Sequence, residues 1–200
     1  RDATGEVLIN GNPFGRSTGA AAAAGTGLVP EDRNRQGLIP DFEIWRNITL
    51  PALDGVTGPG GLLSGARERE RGWQAIKMLS IKASSPDILV TDLRCGNAQK
   101  VTIGRWFFSD VKLFLLDEPT GGIDVGAKAE ILRLVRQLAD EGKSVIVVSS
   151  EFEELLAVSD RILVMRDGRC IAERPADETN EHELLLLAGG QGSGEPLRNV

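Results

Sequence analysis

Two hundred residues with 41% hydrophobic content suffice for one domain with a buried core, leaving room for at most a small appendage. The 29 acidic residues outnumber the 23 basic ones, the net charge is -6, and Lys and Arg are scattered rather than gathered into a stripe, which argues against direct nucleic-acid binding. Cys95 and Cys170 lack metal-type spacing and His182 stands alone, so neither a disulfide framework nor a zinc site is expected.

No apolar stretch approaches the roughly 18 residues of a membrane span, and the reading is of a cytoplasmic protein. The chain begins with Arg1 in what reads as a polar connection, so a longer natural polypeptide is expected. Glu6 to Asn10 predicts a short edge strand, followed by turn residues Asn10-Gly11-Asn12-Pro13. Ser17 to Ala24 is an alanine-rich helix ended by Gly25 and Gly27. Its glycine-flanked alanines are not a phosphate loop, because the Lys and Ser/Thr that would meet phosphates and magnesium are missing.

Leu28-Val29-Pro30 is a brief strand opening onto the charged loop Glu31 to Gln36. Asp54 to Gly65, rich in glycine, reads as a flexible surface loop. Ala66 to Lys82 follows as an amphipathic helix with Trp73, Ile76, Leu79 and Ile81 on its apolar side. Leu113 to Leu116 is a continuous apolar run, suited to a strand buried on both faces. Gly126 to Asp140 places Ile131, Leu134, Val135 and Leu138 on one stripe of a helix. Ser144 to Val148 is another continuous apolar strand, so strand, helix and strand form a right-handed parallel crossover. Glu151 to Val158 is a short helix, Arg161 to Met165 a third buried strand, and Asp167-Gly168 the turn of a hairpin into Cys170 to Glu173.

The stretch FLLDEPTGGIDVGAK sets two adjacent carboxylates, Asp117 and Glu118, at the end of a strand. Ligands of open α/β sheets sit at the carboxyl ends of the strands. One carboxylate there can hold magnesium, which demands oxygen ligands, and the next can orient or deprotonate a water for attack on a phosphoryl group. The alternative is a solvated strand end without chemistry, which strand position alone does not exclude.

The ordered set LVPEDRNRQGL, LRCGNAQKVTIGRW, LFLLDEPTGGIDVGAK, VIVVSSE and RILVMRDGR resembles the ATP-binding subunit of ABC transporters, over nearly the whole chain. The likeness is greatest to the second nucleotide-binding domain of the double-domain ATPases of ribose, xylose and galactose-type sugar importers. The resemblance implies an α/β fold of the P-loop NTPase, RecA-like type: a parallel sheet core with a helical subdomain, incomplete because the phosphate-loop strand is absent. It implies a partial nucleotide-binding domain over 1–188, with a helical and signature subdomain at about 40–108, a Walker B and H-loop core at 109–175, and a flexible tail at 189–200. ATP and Mg2+ are the implied cofactors. The implied partners are a second nucleotide-binding domain, permease subunits and, through them, a periplasmic or extracellular sugar-binding protein, at the cytoplasmic face of the cell membrane.

By the same resemblance Asp117 meets magnesium and Glu118 is the catalytic carboxylate. Asp124 belongs to the D-loop that crosses to a partner domain, and Glu31 takes the place of the Q-loop Gln. The signature loop falls on Leu93, Arg94, Cys95, Gly96 and Asn97, continued by Gln99 and Lys100, with Arg94 and Cys95 where the family has Ser and Gly. Cys95 adds a Cβ where a close backbone approach is needed, so weaker closure on ATP is expected. Ser150 stands where many members carry a His that contacts the γ-phosphate, a feature shared by the sugar-importer second domains.

No G-x-x-x-x-G-K-[ST] occurs in these residues. The expectation is that the phosphate cradle precedes Arg1, and that its missing strand leaves a slot between Ser144–Val148 and Arg161–Met165. The 200 residues alone are then expected to be marginally stable, to dimerise through those edges, or to be one piece of a longer protein. A degenerate, non-catalytic module partnering an intact ATPase is the alternative function.

Overall fold

The computed structural model describes residues 6–9, 11–15 and 17–190, and the chain divides into two compact units at Ile146/Val147. In the first unit, β1 (Leu8–Ile9) and β2 (Asn12–Pro13) form a small antiparallel hairpin. The predicted strand is thus shorter, and its Asn10 and the tail from 191 onward lie outside the described residues. Helix α1 (Thr18–Ala23) is capped by Ser17, whose Oγ accepts from the Ala20 N–H at 3.1 Å. Gly25 ends it with φ +74°, a conformation that side chains disfavour. Gly27 is not part of that ending. It lies inside β3 (Thr26–Val29), where a Cβ would meet the Trp106 ring at 3.0 Å.

A single π-turn (Arg33–Gly37) leads to α2 (Ile44–Thr49), which is buried almost throughout. The Asn47 amide holds its entry by accepting from the Ile39 N–H at 2.9 Å and donating to the Ile39, Phe42 and Glu43 carbonyls. The stretch expected to be a flexible loop contains short 3-10 turns (Leu50–Val56 and Pro59–Gly61) joined by an antiparallel bridge between Thr57 and Leu63.

Helix α3 (Gly65–Met78) corrects the sequence reading in its facing. Trp73 is 50% exposed rather than buried, and Ile81 lies beyond the helix. The cause is Gly72: a Cβ there would come within 2.7 Å of Trp45 and Pro86, so the two helices touch through the smallest side chain and the neighbouring Trp73 turns outward. Gly72, Ala75, Ile76 and, past the helix, Leu79 make the buried side.

Next come α4 (Cys95–Gly104), β4 (Leu113–Asp117), α5 (Val125–Asp140) and β5 (Ser144–Val148). The sheet runs β3-β4-β5, with β3 and β4 parallel in the register Gly27↔Phe114 and Val29↔Leu116. Helix α5 buries the predicted stripe of Ile131, Leu134, Val135 and Leu138, and Asp124 caps it by accepting from the Ala127 N–H at 3.0 Å. Strand β4 alternates, with Phe114 and Leu116 fully buried and Leu113 and Leu115 half-buried. Strand β5 is not buried on both faces: Ile146 and Val148 are more than half exposed. Burial on both faces needs a layer on each side, and among the described residues no strand pairs the outer edge of β5.

The second unit holds α6 (Phe152–Val158), β6 (Arg161–Arg166), β7 (Arg169–Pro175) and α7 (Glu181–Ala188). Strand β6 is the strand expected at Arg161 to Met165, and the expected hairpin follows it. It pairs with β7 as an antiparallel hairpin, and its exposure alternates, with Ile162 and Val164 inward and Leu163 and Met165 outward. Ile162, Val164, Ala172, Leu184 and Leu187 form the core of this unit, closed by Phe152, Leu155 and Leu156. His182, read as part of a polar tail, lies on α7, a helix that the sequence reading missed.

Candidate functional site

The parallel register of β3 and β4 brings their carboxyl ends side by side, strands in such pairs lying about 4.8 Å apart. Glu31, two residues past Val29, is exposed, while Asp117 and Glu118 end β4 half-buried. Glu118 has φ +43°, a left-handed backbone that a side chain with a Cβ seldom adopts and that costs about 1–3 kcal/mol. The turn after it closes when the Gly121 N–H donates to the Glu118 carbonyl at 3.0 Å, over buried Pro119 and Thr120. Gly122 continues with φ +68° into the Asp124 cap of α5.

One contact across 88 residues joins the two strand ends: Arg33 donates through Nη1 to the Gly121 carbonyl at 3.0 Å. Arg33 begins the π-turn, and its N–H donates to the Glu31 carbonyl at 3.0 Å. Gly37 closes that turn against α4, where a Cβ would lie 2.7 Å from Thr102 Cγ2. The Arg105 guanidinium donates to the Gly37 carbonyl, and burial pushes the Arg105 pKa down.

A second cluster forms at the amino end of α4. Arg94 occupies the cap position without a side-chain cap bond, and Cys95 is exposed as the first helical residue. Gly96 lies against α5, where a Cβ would sit 2.5 Å from Ala127 Cβ. Asn97 Oδ1 accepts from the Lys82 N–H at 2.9 Å, and Gln99 is buried. Lys100, 4% exposed, donates to the Ser80 carbonyl at 2.9 Å and pairs with Glu130 at 2.7 Å. That ammonium, bonded to the carboxylate, holds Glu130 below its ordinary pKa. Lys82, Arg94, Gly96, Asn97, Asp124 and Glu130 line a shallow pocket of about 140 Å³. Above it, Arg94 Nη2 lies 3.9 Å from Asp124 Oδ2, both side chains being mostly exposed.

With this geometry the sequence matches the family described as ABC transporter over residues 1–121. The chain belongs to the ABC transporter family. This ABC-family chain is 42% identical over 189 residues to the arabinose import ATP-binding protein AraG of Pseudomonas syringae pv. tomato, covering 94% of itself and 37% of that protein. It is 45% identical over 188 residues to the ribose import ATP-binding protein RbsA of Pseudomonas putida, covering 94% of itself and 36% of that protein. It therefore spans little more than a third of the length of these curated relatives. Among solved structures it is similar to the ATP-binding cassette MJ0796 in a dimeric post-hydrolysis state bound to ADP and Pi. That likeness has a TM-score of 0.72 at 25% identity and covers 86% of this chain and 74% of that one. The fold is accordingly the α/β fold of ABC ATPase cassettes.

Within this ABC-family chain Glu31, Asp117 and Glu118 stand at one end of the sheet. Arg94, Gly96, Asn97 and Asp124 line the pocket between α4 and α5, with Cys95 beside it. Gln99 is 2% exposed and faces the interior of the helical region. Ser150 belongs to the second unit, where it is exposed just before α6. The Arg33 bond and the Lys100–Glu130 pair were not foreseen, since neither the 88-residue reach of the first nor the burial of the second is written in local spacing.

Proposed function

We propose that this chain is part of an ATP-hydrolysing subunit that energises sugar import through an ABC transporter. It works with a second nucleotide-binding domain and with permease subunits at the cytoplasmic face of the membrane, served by a sugar-binding protein on the other side. The reading is carried by the two adjacent carboxylates at the carboxyl end of β4, beside the carboxyl end of parallel β3. The import ATP-binding proteins among its relatives support it. No described helix is long and apolar enough to cross a membrane.

Asp117 fits a magnesium ion. Magnesium keeps several waters and takes one or two carboxylates plus phosphate oxygens, and among the described residues no group of three or more acidic, His or Cys side chains forms a protein cage. Bound Mg2+ with ATP would neutralise charge on the phosphoryl oxygens. Glu118 orients the attacking water and takes its proton. The uncapped start of α4, with Arg94 beside it, offers backbone N–H groups and positive charge to a nucleotide phosphate held by the paired domain. Asp124 serves the crossing to the paired domain, and Glu31 takes the Q-loop place beside the magnesium site. Ser150 supplies a neutral hydroxyl donor to the terminal phosphate. These 200 residues hold no G-x-x-x-x-G-K-[ST], so on this reading the phosphate cradle is supplied by residues outside them.

The test is Glu118→Gln in protein expressed from its complete coding frame. ATP hydrolysis and sugar uptake should fall about 10²-fold or more while nucleotide still binds. Undiminished hydrolysis and uptake would overturn the reading. A second reading, a non-catalytic module supporting an intact ATPase, is favoured by exposed Cys95 at the helix start and by Arg94 being already engaged with Asp124. It predicts that uptake survives Glu118→Gln.

A further inference from the structure

The turn that carries Glu118 has a strained backbone. It starts from a residue at φ +43°, and two glycines follow, one of them at φ +68°. Glycines leave a backbone with many accessible conformations, and a strained residue keeps its geometry only when surrounding contacts over-determine it. Arg33 supplies such a contact from outside the turn.

We propose that Arg33 is a positioning residue for hydrolysis, fixing the Glu118 turn through its bond to the Gly121 carbonyl; this rests on the proposed role of Glu118 as the water-activating carboxylate. The mount behind Arg33 is rigid on both sides. On one side Val29, fully buried, is registered against Leu116 of the strand that ends in Asp117. On the other, the Leu38 N–H donates to the Arg33 carbonyl at 2.8 Å, and buried Gly37 is seated on Thr102 of α4. The guanidinium therefore ties this braced turn to the one that follows Glu118. Its Nη2 also lies where a Cβ on Gly122 would come to 4.0 Å, so the guanidinium reaches the neighbourhood of the second glycine of the loop.

Placing a catalytic group wrongly by about 1 Å can cost on the order of 100-fold in rate. Arg33 touches no reacting atom in this scheme. Its loss should therefore lower kcat without changing how tightly nucleotide binds.

The experiment uses the complete protein with Arg33→Met, which keeps the stem and removes the donor, and Arg33→Lys, which keeps a charged donor but loses the planar fork. Arg35→Met, in the same turn and 88% exposed, serves as the control. For Arg33→Met we expect kcat to fall about tenfold or more, the KM for ATP to stay within about twofold, and Arg33→Lys to fall between it and wild type. Independently of activity, hydrogen exchange of the Gly121 amide, which bonds to the Glu118 carbonyl, should quicken about tenfold in Arg33→Met and not in Arg35→Met. Unchanged exchange in Arg33→Met overturns the proposal, whatever happens to the rate. Quickened exchange with an unchanged kcat overturns the positioning role while leaving the clamp. If Glu118→Gln keeps full hydrolysis, the function reading falls, and the exchange result still decides whether Arg33 holds the turn.

Discussion

Lys100–Glu130 in the first unit and Arg161–Glu173 in the second hold opposite charges at nearly the same distance, 2.7 and 2.6 Å. Their surroundings differ. The Lys100 side chain is 4% exposed and also donates to the Ser80 carbonyl, whereas Arg161 is 73% exposed on a hairpin strand. Distance alone therefore says little about worth. A buried ammonium that loses its partner stays desolvated, while an exposed guanidinium returns to water.

The largest expected effect breaks the buried member. Glu130→Gln strands the Lys100 charge between α4 and α5. It should destabilise the complete protein by about 2–3 kcal/mol in denaturant titration, below the roughly 3–5 of a fully buried pair because Glu130 is 36% exposed. If the loss is under about 0.5 kcal/mol, burial is not what separates the two pairs.

A smaller loss sharpens the same contact without touching charge. Gly96→Ala would place its Cβ 2.5 Å from Ala127 Cβ, and overpacking of this kind costs about 1–3 kcal/mol. Ala127→Gly in the same protein should return most of it, a coupling that a double-mutant cycle measures directly. Arg161→Ala should cost at most about 1 kcal/mol, and added salt should shrink even that.

The smallest effect concerns pH. Lys100 lowers the Glu130 pKa below its unfolded value of 4.5, chiefly by bonding to it. The unfolded chain then binds the proton more readily. The stabilisation is fully present above about 4.5 and is lost as pH falls through the lower folded pKa. Acid unfolding below pH 4.5 should be less steep in Glu130→Gln. Glu183, lowered by bonds from Arg174 and Thr179, contributes in the same direction and remains as the reference.

Much of the architecture was legible where one residue pattern met one neighbour. The α5 stripe of Ile131, Leu134, Val135 and Leu138 is buried as its 3.6-residue spacing requires, and the Asp117-Glu118 strand end was visible as an apolar run broken by charge. Misreadings arose where burial depended on what lies opposite. An apolar run such as Ser144–Val148 states a capacity for burial, not the presence of a covering layer, and Ile146 and Val148 are exposed. Periodicity puts Trp73 on the apolar side of its helix, yet contact between α2 and α3 runs through Gly72, which no hydrophobicity pattern marks. Helix α7 escaped notice because four consecutive leucines, Leu184 to Leu187, show no helical period, though Asn180 caps it by accepting from the Glu183 N–H at 3.0 Å. Of the candidate site, the acidic strand end and the α4 start are marked by their motifs, but the Arg33 contact with the turn after Glu118 is not.

Strand β5 leaves one side of the described sheet open. With Ile146 and Val148 outward and its far side unpaired among the described residues, it is a template to which another extended segment can add. The segment that completes the sheet must therefore be extended and must offer its own backbone donors and acceptors to that row of backbone groups.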